Sequence, residues 1–107
     1  MRKVHEKVVG KFLQQEKIRT ANFSVTNHNR LNQETRQFRT VSVLYSYALP
    51  VGIIDTNGNI FVGDYIRKVS CTTSAQIRAL VSMLNNGRYS YKMCEPKEFE
   101  NLYTELI

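Results

Sequence analysis

The stretch Tyr45–Leu84, YSYALPVGIIDTNGNIFVGDYIRKVSCTTSAQIRALVSML, decides the fold. It reads as a strand end, a tight hairpin, a second strand and a capped helix. The Asn57-Gly58 pair is the strongest short hairpin signal, because a type I′ turn needs φ > 0 at both central residues. Two-residue pairing sets Thr56 opposite Asn59, Asp55 opposite Ile60, Ile54 opposite Phe61 and Ile53 opposite Val62. Cross-strand partners share a face and successive pairs alternate, so both faces of this hairpin are apolar. Both faces must then be covered, by two layers of the same chain or by one layer and a second subunit, the latter making a homodimer.

After a third short run, Tyr65 to Ser70, the sequence TTSAQIRALVSML opens a helix. Thr73 with Gln76 three residues on forms a capping box, and Ile77, Leu80, Val81 and Leu84 follow at i, i+3, i+4 and i+7. Asn85, Asn86 and Gly87 end it, with Gly87 suited to the left-handed position after a helix. Tyr89 to Met93 alternates as a short strand. Glu95-Pro96 then starts a last helix whose stripe is Phe99, Leu102, Tyr103 and Leu106.

Upstream, Val4, Val8 and Phe12, with Val9 and Leu13, make one apolar stripe on a helix between Met1 and Arg19, and Lys3, Lys7, Lys11 and Lys17 fall largely outside it. Ala21, Phe23 and Val25 alternate with Asn22, Ser24 and Thr26 as a half-buried strand. Asn27 to Thr35 reads as a polar loop, suited to binding or merely mobile. Arg36 to Ala48 resumes alternation, with Val41, Val43, Tyr45 and Tyr47 on one face, and Pro50 marks a bend or an edge. The order α, β, β, β, β, β, α, β, α predicts an α+β fold. Its core is a mainly antiparallel sheet of about five to six strands, with an N-terminal helix, a capped helix after the hairpin and a C-terminal helix.

A chain of 107 residues with 42% apolar and 22% charged residues is the size and composition of one soluble domain, residues 1–107. Its charge is uneven. Residues 1–44 hold nine Lys/Arg against three Asp/Glu, and residues 45–107 hold six of each, so the whole net charge of +6 is N-terminal. Clustered basic side chains attract phosphate, and the expected partner is nucleic acid or an acidic host protein; a solvated basic surface is the plainer alternative. Cys71 and Cys94 have neither CxxC nor His spacing, so they read as buried thiols in a reducing, cytoplasmic compartment. No run reaches the roughly 18 apolar residues of a membrane span, so no membrane partner is expected.

The core stretch resembles a family of uncharacterised small proteins of phages and mobile elements. That family carries a Ser-Tyr-x-Thr-x-Val run, a Gly-centred hairpin and a Tyr-Ser-x-Thr-Thr-Ser-x-His-Ile run. Here the first run is Ser46, Tyr47, Ala48, Leu49, Pro50, Val51, and the last is Val69 to Ile77, VSCTTSAQI. Leu49, Val69 and Gln76 replace the family's Thr, Tyr and His. The resemblance implies a phage context, inside a host cell, and supplies no activity. Any chemistry done by that His in relatives is closed to this chain.

Candidate sites follow from residue types. Arg19, Arg30, Arg36 and Arg39 with Lys7 and Lys11 are expected to form a basic face. Tyr45 and Tyr47 beside Arg39 would offer a stacking platform on an open sheet face, with core packing as the commoner use of such rings. Thr72, Thr73 and Ser74, at a helix N-terminus, are an anion-binding candidate, with capping as the simpler role. His5 and His28 are isolated and read as surface histidines, and Asp55 and Asp64 flank a hairpin without a third ligand. The expectation is therefore a non-enzymatic phage accessory protein without metal or cofactor, acting on nucleic acid or a host nucleoprotein complex. The alternative is a module that blocks a host factor with no nucleic acid involved.

Overall fold

The computed structural model describes residues 2–107. Its elements are α1 (Lys3–Leu13), β1 (Ile18–Arg19), β2 (Phe23–Leu31), β3 (Phe38–Ser46), β4 (Leu49–Ile54), β5 (Ile60–Gly63), α2 (Cys71–Asn86), β6 (Tyr91–Cys94) and α3 (Pro96–Leu106). The strands form one six-stranded sheet in sequence order. β1 to β5 pair antiparallel, and α2 carries the chain back so that β6 lies parallel to β5. The parallel step needs a crossover, and α2 supplies it. The result is the α+β architecture expected from the sequence.

The registers sort the sheet into two faces. Phe23, Val25, Leu44, Ser46, Gly52 and Val62 lie on one, and Val41, Val43, Tyr45, Ile53 and Phe61 on the other. α1 and α2 cover the first face. A Cβ at Gly52 would meet Phe12 of α1 at 3.2 Å and Leu80 of α2 at 3.3 Å. α3 covers the second, with the Tyr103 and Tyr45 hydroxyls 2.8 Å apart and Phe99 fully buried. The hairpin is apolar on both faces, as expected, and both are covered by the chain's own helices, so the covering does not call for a second subunit.

Several local expectations are corrected. The β4–β5 register is Ile53↔Phe61 and Ile54↔Ile60, one residue away from the two-residue hairpin. The cause is Asp55, whose Oδ1 accepts the N–H groups of Asn57 and Asn59, both at 2.9 Å. Only Gly58 takes a positive φ here, 82°, and its N–H donates to the Asp55 carbonyl. The turn is therefore a type I turn followed by a glycine bulge rather than type I′. Pro50 sits inside β4, opposite Tyr45, where the β3–β4 register shifts and no ladder N–H is required of it.

The polar segment Asn27–Leu31 is strand, paired through to Leu31↔Phe38. Backbone pairing with β3 holds it, and Asn27 adds a bond from its amide to the Gln15 carbonyl and another from the Ser42 hydroxyl. The connecting loop is built around Asn32, which is buried. Its Oδ1 accepts the N–H groups of Glu34 and Thr35, and its Nδ2 donates to Thr56 and Asn57 of the β4–β5 turn. Residues 65–70 are turns rather than a strand, with Arg67 at φ 64°, and the additional strand is the two-residue β1.

The helix ends differ too. α1 stops at Leu13, leaving Lys17 outside it, and its buried residues are His5, Val8, Val9 and Phe12, with Val4 exposed. Ser70 caps α2 by accepting the Thr73 N–H at 3.2 Å, and Gln76 is buried, donating to the Asn22 carbonyl instead of closing a capping box. After α2 the left-handed residue is Arg88, at φ 57°, and not Gly87. A Cβ at Gly87 would stand 2.5 Å from the Tyr89 ring, so packing is what asks for glycine there.

His5 is a buried histidine rather than a surface one, set edge-on against Phe23 with ring centroids 5.7 Å apart. Burial first, and the Arg2 charge second, lower its pKa from the ordinary 6.5. His28 is lowered too, by burial and then by Arg30. The unfolded chain therefore takes up these protons at a higher pH than the folded one. The stability they contribute is whole above pH 6.5 and declines as the pH falls from there through the lower native values. Urea unfolding at pH 7.5 and pH 5.5 is expected to give a lower midpoint at pH 5.5. His5→Gln should flatten that dependence; an unchanged slope in the variant would assign the loss to other groups.

Candidate nucleic-acid interface

The basic side chains expected to form one face are distributed over several. Lys7 and Lys11 lie on α1, on the side of the sheet away from Tyr45, and Lys11 is paired with Glu16 at 2.7 Å. Arg30 and Arg39 are direct cross-strand partners on the α3 side. Two like charges in that position repel, and the two side chains bond to different partners. Arg30 donates to the carbonyls of Leu106 at 3.1 Å and Asn29 at 2.9 Å, and Arg39 donates to Gln37 at 3.3 Å. Arg36 stands in the β2–β3 loop at φ 60°. Arg39 also lines a polar hollow of about 510 Å³ between that loop and the β4–β5 turn, with Gln15, Asn32, Thr35, Asp55 and Asn57.

The helix N-terminus offers little to an anion. Thr73 and Ser74 are buried and already partnered: Thr73 Oγ1 lies 2.7 Å from the Ser46 hydroxyl, and Ser74 Oγ accepts the Arg67 N–H at 3.0 Å. Thr72 is half-buried. Cys71, expected to be buried, is exposed at the first turn of α2, while Cys94 is buried and its thiol pKa is raised by that burial.

Three of the residues singled out from sequence do converge. Arg19, Tyr45 and Tyr47 line one hollow of about 360 Å³ at the end of the sheet where the β1–β2 and β3–β4 turns meet. Its walls include the hydroxyl residues Ser24 and Thr26. Tyr47 does not share a strand face with Tyr45. It sits in the β3–β4 turn at φ 55°, 57% exposed, so its ring is turned out of the sheet and is open to a ligand. Tyr45 is half-buried, and the sheet face around it is closed by α3 rather than open; its hydroxyl meets that of Tyr103, with the rings edge to face. Burial first, and the Tyr103 hydrogen bond next, push the Tyr45 pKa up to about 12, so it stays a neutral phenol able to donate or accept. The hollow thus combines an exposed aromatic face, a guanidinium and hydroxyls. Ser24 and Thr26 were legible only as the polar side of an alternating strand.

Sequence reasoning did not find the groove between α1 and α2, a hollow of about 620 Å³ lined by Arg2, His5, Ala75, Arg78, Ala79 and Ser82. Among the described residues no group of three or more His, Cys, Asp or Glu side chains is placed to hold a metal ion, and no helix is long and apolar enough to cross a membrane. No protein-family model, curated protein or solved structure matches the chain.

Proposed function

We propose that this chain is a small non-enzymatic accessory protein that binds nucleic acid as a single strand. The observation that carries this reading is the meeting of Arg19, Tyr45 and Tyr47 around one hollow, with the Tyr47 ring outward. A base can stack on that ring, Arg19 can take a phosphate, and the hydroxyls of Ser24 and Thr26 can meet polar base edges. A recess favours an unpaired base over a duplex, whose grooves are read by elements that protrude into them. The excess of basic residues in the N-terminal half supports attraction to a polyanion. The resemblance to small phage proteins would place the activity in the cytoplasm of a host cell, on nucleic acid or a host nucleoprotein complex.

Fluorescence anisotropy with short single-stranded DNA, single-stranded RNA and duplex DNA, each at two salt concentrations, tests this. Single strands are expected to bind more tightly than duplex, with an affinity that falls as salt rises. Stacking is worth about 1–3 kcal/mol per base, so Tyr47→Ala should weaken binding by roughly 5- to 150-fold. Arg19→Gln should reduce the salt slope by about one. Absence of binding by every nucleic acid at low salt would remove this reading. A second one then takes its place, because Leu31 and Phe38, paired at the end of the β2–β3 ribbon, are 37% and 67% exposed. That apolar pair suits a protein surface, and the chain would act by blocking a host factor, alone or as a homodimer.

A further inference from the structure

The hollow does not end at its own walls. β1 pairs with β2 only at Ser24 and Val25, so among the described residues β2 has no strand on its outer side from Thr26 onward. On the α3 side of the sheet this outer margin carries Ser24, Thr26, His28 and Arg30 in turn, by the alternation of the strand. α3 lies inward of them, touching Tyr45 through Tyr103, and Arg30 donates to the backbone oxygens of Leu106 at its end and of Ile107 just beyond it. The margin is therefore a strip bounded by a helix on one side and by the sheet edge on the other. Ser24 to Arg30 covers about 20 Å at roughly 3.4 Å per residue.

Every group along the strip can bond to a phosphate or a base edge. Thr26 Oγ1 and His28 Nε2 are 3.1 Å apart, and both side chains reach solvent. Arg30 is fixed by the backbone oxygens of Leu106, Asn29 and Ile107, which take one N–H from each of its three nitrogens. A guanidinium carries five N–H donors, so two remain for a ligand. No Asp or Glu side chain pairs with Arg30 or Arg19 among the described residues.

We propose that the hollow is one end of a linear track, and that its ligand is a single-stranded oligonucleotide of about four nucleotides laid along the outer margin of β2 over Thr26, His28 and Arg30. The Arg19–Tyr47 hollow takes the terminal base, and the strip takes the nucleotides that follow. This rests on the nucleic-acid reading of the hollow, and the test separates the two.

Competition anisotropy on the full chain at fixed low salt, with oligothymidylates of two, three, four, six and eight nucleotides, reads the length of the site. Affinity is expected to climb steeply from two to four nucleotides and then level. His28→Gln, outside the walls of the hollow, should lower tetranucleotide affinity about fivefold while leaving dinucleotide affinity unchanged, and that retained dinucleotide binding also reports an intact fold. A dinucleotide that binds as tightly as the octanucleotide overturns the track and leaves the hollow standing. A steady rise past six nucleotides overturns it as well, since that is the mark of diffuse charge attraction. Failure of every length to bind removes both the track and the reading beneath it.

Discussion

Replacing Phe12 by alanine is expected to lower the unfolding free energy by about 3–5 kcal/mol. Phe12 is fully buried, and its ring stands over Gly52 of β4, close enough that a Cβ there would lie 3.2 Å from Cζ. It comes from α1, joins Val8 and Val9 of the same helix, and reaches the place where Leu80 of α2 also meets the sheet. Truncation opens a cavity under two helices. The nearest backbone belongs to a strand paired on both sides, which cannot rise to fill it. A loss of that size is a large share of the roughly 5–15 kcal/mol that a domain commonly has, and corresponds to a fall in Tm on the order of 20 °C. Urea unfolding with Val4→Ala as a control checks it, because Val4 is 43% exposed and its truncation should change stability by less than about 0.5 kcal/mol. Equal midpoints for the two variants would mean that Phe12 does not seat α1.

The same two helices show what could be read from the sequence and what could not. The class of each long element was legible from local periodicity: the α2 stripe Ile77, Leu80 and Leu84 is buried as spaced, and Pro96 opens α3. Registers and ends were not, because they depend on side chains that bond to distant or competing partners. Asp55 captures two turn N–H groups and shifts the hairpin by one residue, which exchanges the faces of every side chain beyond it. Asn27 looked like the start of a loop, yet its partners Gln15 and Ser42 lie far away in sequence. Even the correct order of helices and strands concealed an exchange, with β1 standing where residues 65–70 had been read as a strand. The hollow was partly legible. Arg19, Tyr45 and Tyr47 were singled out by residue type, but the reason they meet is that the β3–β4 turn begins at Tyr47 and carries its ring off the strand. Alternation, continued one residue too far, put that ring on the wrong surface.

Gly52→Val is expected to destabilise the fold by about 3 kcal/mol or more, the upper part of the range for overpacking a close-fitted core. The position lies in the middle of the sheet, opposite Leu44 on one side and Val62 on the other. A Cβ alone would meet Phe12 Cζ at 3.2 Å, Leu44 Cβ at 3.3 Å and Leu80 Cδ2 at 3.3 Å. Valine adds two methyl groups to a point already closed by both helices and a neighbouring strand. Its preference for strands, up to about 1 kcal/mol, is too small to offset the crowding. The contact also predicts a coupling: Phe12→Leu vacates part of the space, so Gly52→Val should cost less in that background, by about 0.5–3 kcal/mol. Urea unfolding of the wild type, both single variants and the double variant measures the cycle. Additive costs would mean that the two residues do not touch and that α1 is seated elsewhere. A double variant that costs less than the sum of the two singles would locate the joint between helix and sheet at this pair.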